Sequence, residues 1–160
     1  MDGAFLLFLP DKPEAMKRVF LFFLVGALLS GCATSTKMLQ KGQYDAAIER
    51  SVMKLRKKPT NTKEIQVLER AYSLANEQNL ERIRFIQREG NPRNMPELVA
   101  LYNRLKQRQS LVRTVTPLNL NGRMLEFPYV DYDEQIIAAQ RGAASFLYEE
   151  AQRLMATNEK

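Results

Sequence analysis

Lys41-Gly42-Gln43-Tyr44-Asp45-Ala46-Ala47-Ile48-Glu49 is the stretch on which the reading of the fold turns. Gly42 supplies a turn, and Tyr44, Ala47, Ile48, Val52 and Leu55 then recur every three or four residues, which places them on one face of a helix. Pro59-Thr60-Asn61 stops that helix, because proline has no amide hydrogen to continue the ladder. The small side chain of Ala47 leaves room for a second helix to approach closely.

This stretch resembles the second half of a tetratricopeptide repeat, whose glycine turn, tyrosine, small alanine, isoleucine and closing proline fall at these spacings. In that register the next unit opens near Thr62, with apolar residues three, six and ten positions on, where the sequence has Ile65, Leu68 and Tyr72. A third unit opening at Met95 brings Leu98, Leu101 and Leu105 to the same places. Pro59 and Pro92 lie 33 residues apart, against a family period of about 34. Other positions depart from the pattern. Glu69 and Tyr102 stand where the repeat prefers a small residue, and Lys54 stands at a late alanine position. The first unit has almost no opening helix and the third lacks its second one, so residues 38–112 read as degenerate helical repeats. The resemblance implies a partner-binding groove lined by Lys63, Gln66 and Arg70 in the second unit and by Asn103 and Lys106 in the third. Polar and basic, such a groove suits an acidic or C-terminal peptide segment of an envelope protein.

Beyond Leu111 the helical spacing breaks. Residues 113–131 read as a loop or small hairpin, with Asn121-Gly122 as a tight-turn signal between two short extended runs. Residues 132–160 return to helix from Asp133, a capping residue, through Ile136, Ile137, Ala143, Ala144, Phe146, Leu147, Ala151 and Leu154. The expected class is therefore mainly all-α, with tetratricopeptide-like antiparallel helix pairs and a small β insertion before a C-terminal helix.

Toward the N terminus the chemistry changes. Lys17 and Arg18 precede 11 apolar residues, Val19 to Leu29, and the small residues Ser30 and Gly31 then lead to Cys32. Such a run matches the apolar middle of a signal peptide and falls well short of the roughly 20 residues that span a bilayer as a helix. Leu29-Ser30-Gly31-Cys32 resembles the lipobox of bacterial lipoproteins, in which the cysteine thiol receives a diacylglyceryl group and cleavage then frees its amine for a further acyl chain. The resemblance implies lipidation at Cys32, a signal peptide over residues 16–31 and a short lipid-anchored tether over 32–37. Because Ala33 to Lys37 spans at most about 18 Å, the domain is expected close to the headgroups. Residues 1–15 read as a misassigned upstream start, since Met16-Lys17-Arg18 makes a better beginning. Ala33 follows the cysteine and nothing acidic comes before Asp45. In this family that pattern favours the outer membrane over inner-membrane retention.

Composition narrows the chemistry further. The chain has no histidine and one cysteine, which removes the commonest general base, the commonest zinc ligand and any internal disulfide. The adjacent carboxylates Glu149 and Glu150 point apart on a helix, and Asp131, Asp133 and Glu134 lack the looped spacing of a calcium site, so they read as a capping group. The net charge of +6 is unevenly spread: residues 32–113 hold 17 Lys and Arg against 8 Asp and Glu, whereas 114–160 hold 4 against 7. The basic sets Lys54, Arg56, Lys57, Lys58 and Arg82, Arg84, Arg88 suit nucleic-acid phosphate, lipid phosphate or plain solvated helix faces; export argues against nucleic acid. The expected protein is a noncatalytic, cofactor-free adaptor, lipid-anchored in the bacterial envelope and binding envelope proteins. The alternative is a structural lipoprotein that self-associates, its basic half against the acidic half of a neighbour, or an accessory subunit of an envelope complex.

Overall fold

The computed structural model describes residues 34–158, and within them the chain is mainly helical. The start extension, the signal peptide and Cys32 lie outside the described residues. Helix α1 (Ser35–Gln40) opens on Thr34, whose hydroxyl accepts the Lys37 amide hydrogen. Gly42, at φ 72°, turns the chain into α2 (Tyr44–Lys57). Asn61 caps α3 (Thr62–Glu89) by accepting from the Glu64 amide, and Gly90, at φ 64°, ends it. A 3-10 turn (Pro92–Asn94) leads into α4 (Met95–Arg113). The expected hairpin follows: β1 (Leu118–Leu120) pairs antiparallel with β2 (Arg123–Leu125) around Asn121 and Gly122, both at positive φ. Helix α5 (Asp133–Asn158) completes the chain.

Two expectations change. Residues 35–40, expected as part of a tether and an all but absent opening helix, form a capped helical turn packed on α2 and α3, with Ser35 fully buried. The second unit, expected to open an antiparallel pair, is one continuous helix of 28 residues. The reason is local: Ser73 to Arg82 contains neither glycine nor proline, so nothing interrupts the hydrogen-bond ladder before Gly90. At 1.5 Å per residue, α3 is about 42 Å long.

That length lets α3 serve two cores. Its first half packs Ile65, Leu68, Ala71, Tyr72 and Ala75 against Ala47, Ile48, Val52 and Leu55 of α2, with Val112 of α4 and Leu118 and Leu125 of the hairpin closing the cluster. The Phe127 ring meets Tyr72 edge-on, centroids 5.1 Å apart. Its second half packs Ile83 and Ile86 against Leu98, Leu101, Tyr102 and Leu105 of α4, with Ile136 and Ala139 of α5. Each buried Leu or Ile stabilises the fold by about 1.5–3 kcal/mol relative to exposure, so both halves of α3 are held.

The register of α5 decides what it leaves uncovered. Lys106 of α4 pairs with Asp133, and Gly142 lies against Met95, so α5 runs antiparallel to α4. Near residue 146 it reaches the level of the 3-10 turn that α4 starts from, and among the described residues the remaining turns have no neighbour to pack on. Leu147, Tyr148, Leu154 and Met155 are accordingly 57–65% exposed.

Candidate functional site

At the end of the domain where Thr34 and Ser35 lie, a buried carboxylate ties three helices together. Glu64, in the first turn of α3, is 4% exposed. One of its oxygens accepts from the hydroxyls of Ser35 (α1, 2.5 Å) and Ser51 (α2, 3.1 Å), and the other from the Lys54 ammonium (α2, 2.7 Å). Lys54 also reaches Ser35 Oγ at 3.2 Å. Burial pushes the Glu64 carboxyl upward, but the bonds from Lys54, Ser35 and Ser51 outweigh it and hold the group below the usual carboxylate range. The ionised form is thus the one the fold selects. Both carboxylate oxygens accept from within the fold, so the network clasps α1 to the body.

A second buried charge links the middle of the molecule. The Arg108 side chain, 3% exposed, donates to Asp45 at the start of α2 (2.8 Å) and to Asn76 in mid-α3 (2.6 Å). Beside it, Asp45, Ile48, Glu49, Arg104 and Leu111 line a shallow cleft of about 220 Å³. A wider cleft of about 590 Å³ runs between α3 and the segment after β2, lined by Glu69, Tyr72, Asn76, Arg84, Glu126 and Phe127.

The five residues expected to line a groove differ in exposure. Lys63, Gln66 and Arg70 form an exposed stripe on the first turns of α3. The hydrogen bonds Asn94 to Glu89, Gln87 to Tyr102 and Arg108 to Asn76 fold α4 back along α3, and Val112 near its end joins the cluster around Ile65 and Leu68. Asn103 and Lys106 are half-buried, and Lys106 is taken up by its ion pair with Asp133.

Other charged sets resolve individually. Arg82 bonds both oxygens of Glu97 at 2.7 Å and lies 5.2 Å over the Phe85 ring. Asp131 accepts from the Asp133 amide at the entrance to α5, a capping arrangement. Among the described residues no His, Cys, Asp or Glu group is arranged to hold a metal ion, and no helix is long and apolar enough to cross a membrane. No protein family, curated protein or solved structure matches this chain.

Sequence reading missed the clasp. Its one visible sign was Lys54 at a position where the repeat pattern expects alanine. The separation of the two ends was hidden too: Thr34, Ser35 and Glu64 lie at the N-terminal end of α3, and the uncovered turns of α5 at its far end.

Proposed function

We propose that this chain is a lipid-anchored envelope lipoprotein that acts as a noncatalytic adaptor, held at one end through lipid on Cys32 and binding a partner protein at the other through α5. The observation that carries the reading is the uncovered second half of α5, where Leu147, Tyr148, Leu154 and Met155 sit more than half exposed on turns that overshoot the body. Contiguous exposed apolar surface on a helix marks a contact surface, since water is a poor neighbour for it. Length supports the division of labour: α3 separates the two ends by about 42 Å, so a partner on α5 stands well clear of the headgroups although the link from Cys32 to Thr34 is only two residues.

The Leu29-Ser30-Gly31-Cys32 resemblance supports the anchor, and the absence of acidic residues between Cys32 and Asp45 supports the outer membrane. The hairpins α1–α2 and α2–α3 are read as remnants of tetratricopeptide-like pairs, with α3 running through the turn that would divide a further pair. Partner binding is assigned to α5 in preference to the five-residue groove, because Lys106 of that groove is occupied by Asp133.

The same stripe also suits a second copy of the chain, the structural alternative. A photoreactive residue placed at Leu147 in living cells separates the two. The adaptor reading expects an adduct with a different envelope protein, lost when Leu154→Lys is added. An adduct of twice the chain's own mass favours self-association, and no adduct removes α5 as a binding surface.

A further inference from the structure

The end of the domain that begins at Thr34 carries a run of cations with no acid among them. From Arg50 to Lys63 the chain has Arg50, Lys54, Arg56, Lys57, Lys58 and Lys63 and no Asp or Glu. The fold gathers this run at one end: α2 finishes there, α3 begins there, and the clasp between Lys54, Ser35 and Glu64 brings the start of α1 to the same place. Lys54 is neutralised by Glu64, and Arg56 donates to the Thr114 hydroxyl, which adds no negative charge. Lys57, Lys58 and Lys63 are exposed and make no ion pair among the described residues. Between Arg56 and Lys57 stands Met53, 48% exposed, an apolar side chain on the same outer face.

From this we propose that the Lys57, Lys58 and Lys63 end is a lipid-facing surface that binds anionic headgroups, with Met53 reaching toward the interfacial layer. The inference rests on the anchored reading for its choice of partner, since two residues of chain span at most about 7 Å and tie any lipid on Cys32 close to α1's first turn. Nucleic acid would suit the same charges, but a surface beside an acyl anchor meets headgroups first. Each cation near an anionic membrane strengthens attachment about five-fold, and the effect fades with salt because the field decays within a Debye length. The consequence is orientation: a single lipidated residue permits the body to tilt freely, whereas a basic end held flat directs α3 and the exposed turns of α5 away from the membrane.

The test uses the full chain carrying Cys32→Ala, so that lipid on the cysteine plays no part and failure here is separable from failure of the anchor. Binding is titrated on vesicles of phosphatidylcholine alone and on vesicles containing phosphatidylglycerol, at low and high salt. The zwitterionic vesicles give the baseline for whatever the apolar residues 19–29 contribute. The proposal expects an added affinity for phosphatidylglycerol that salt removes, and a loss of at least about a hundred-fold in the triple variant Lys57→Glu, Lys58→Glu, Lys63→Glu. The three side chains make no ion pair among the described residues, so helicity by circular dichroism should be unchanged. The variant Arg84→Glu, Arg88→Glu, Arg93→Glu changes net charge equally toward the other end of α3 and should keep most of the affinity. Equal binding to both vesicle types, or equal loss in the two triple variants, overturns the proposal, and so does tighter binding to duplex DNA than to the anionic vesicles.

Discussion

Replacing Glu64 by glutamine probes the clasp that joins α1 to the rest of the fold. The substitution keeps size and shape but removes the charge that Ser35, Ser51 and Lys54 are arranged around. A hydrogen bond to a charged group contributes about 1.5–3 kcal/mol and a neutral one about 0.5–1.5; glutamine keeps only one acceptor oxygen, so with its NH2 turned to Lys54 that bond is lost and the two serine bonds each weaken by about 1 kcal/mol. Because the Lys54 side chain is 35% exposed and recovers some hydration, the net loss is about 2–3 kcal/mol. The pH dependence adds a second signature. The folded state holds the Glu64 carboxyl below its unfolded value of 4.5, so its stabilisation is fully present above that value and is lost as pH falls through the folded one. The gap between the native chain and Glu64→Gln should therefore be largest near neutrality and shrink below about pH 4.5. Urea denaturation of the full chain across that range measures both quantities, and hydrogen exchange in α1 should accelerate at least ten-fold. A loss under 0.5 kcal/mol at neutral pH, or a gap that does not narrow in acid, would refute the assignment of Glu64 as the charged centre of the clasp.

Three further outcomes are expected. Arg108→Met keeps the aliphatic volume but gives up the bonds to Asp45 and Asn76, and urea denaturation should show a loss of about 1.5–3 kcal/mol. Leu118→Ala opens a cavity where the hairpin meets α2 and α3, for which about 2–4 kcal/mol is expected, with a matching fall in melting temperature. Leu147→Lys with Leu154→Lys should leave stability within about 0.5 kcal/mol of the native chain, since those side chains contact little, while abolishing partner or self-association in crosslinking.

Local signals were legible in the sequence where one residue type answers one backbone need. Gly42 takes up positive φ between two helices, and Asn121-Gly122 turns the hairpin. The apolar spacing in α2 and at the start of α3 likewise named core residues such as Ile48, Val52, Leu55, Ile65 and Leu68. What periodicity could not convey was continuity. The same stripe describes one long helix or two shorter ones, and only the absence of glycine and proline between Thr62 and Gly90 argues for one. The clasp was hidden for a different reason: α1 has six residues, too few for a period, and Ser35 meets Glu64 across 29 positions. The pairing of Lys106 with Asp133, and with it the overshoot of α5, depends on the α4–α5 register, which no local pattern encodes.

The account as a whole depends on lipid at Cys32, and intact mass spectrometry of the protein recovered from membranes tests that most directly. The expected product begins at Cys32 and carries a diacylglyceryl thioether, with or without an acyl chain on its amine. A chain recovered with an unmodified Cys32 thiol, or with its N terminus still upstream of Cys32, would contradict the anchor and the orientation argued from it.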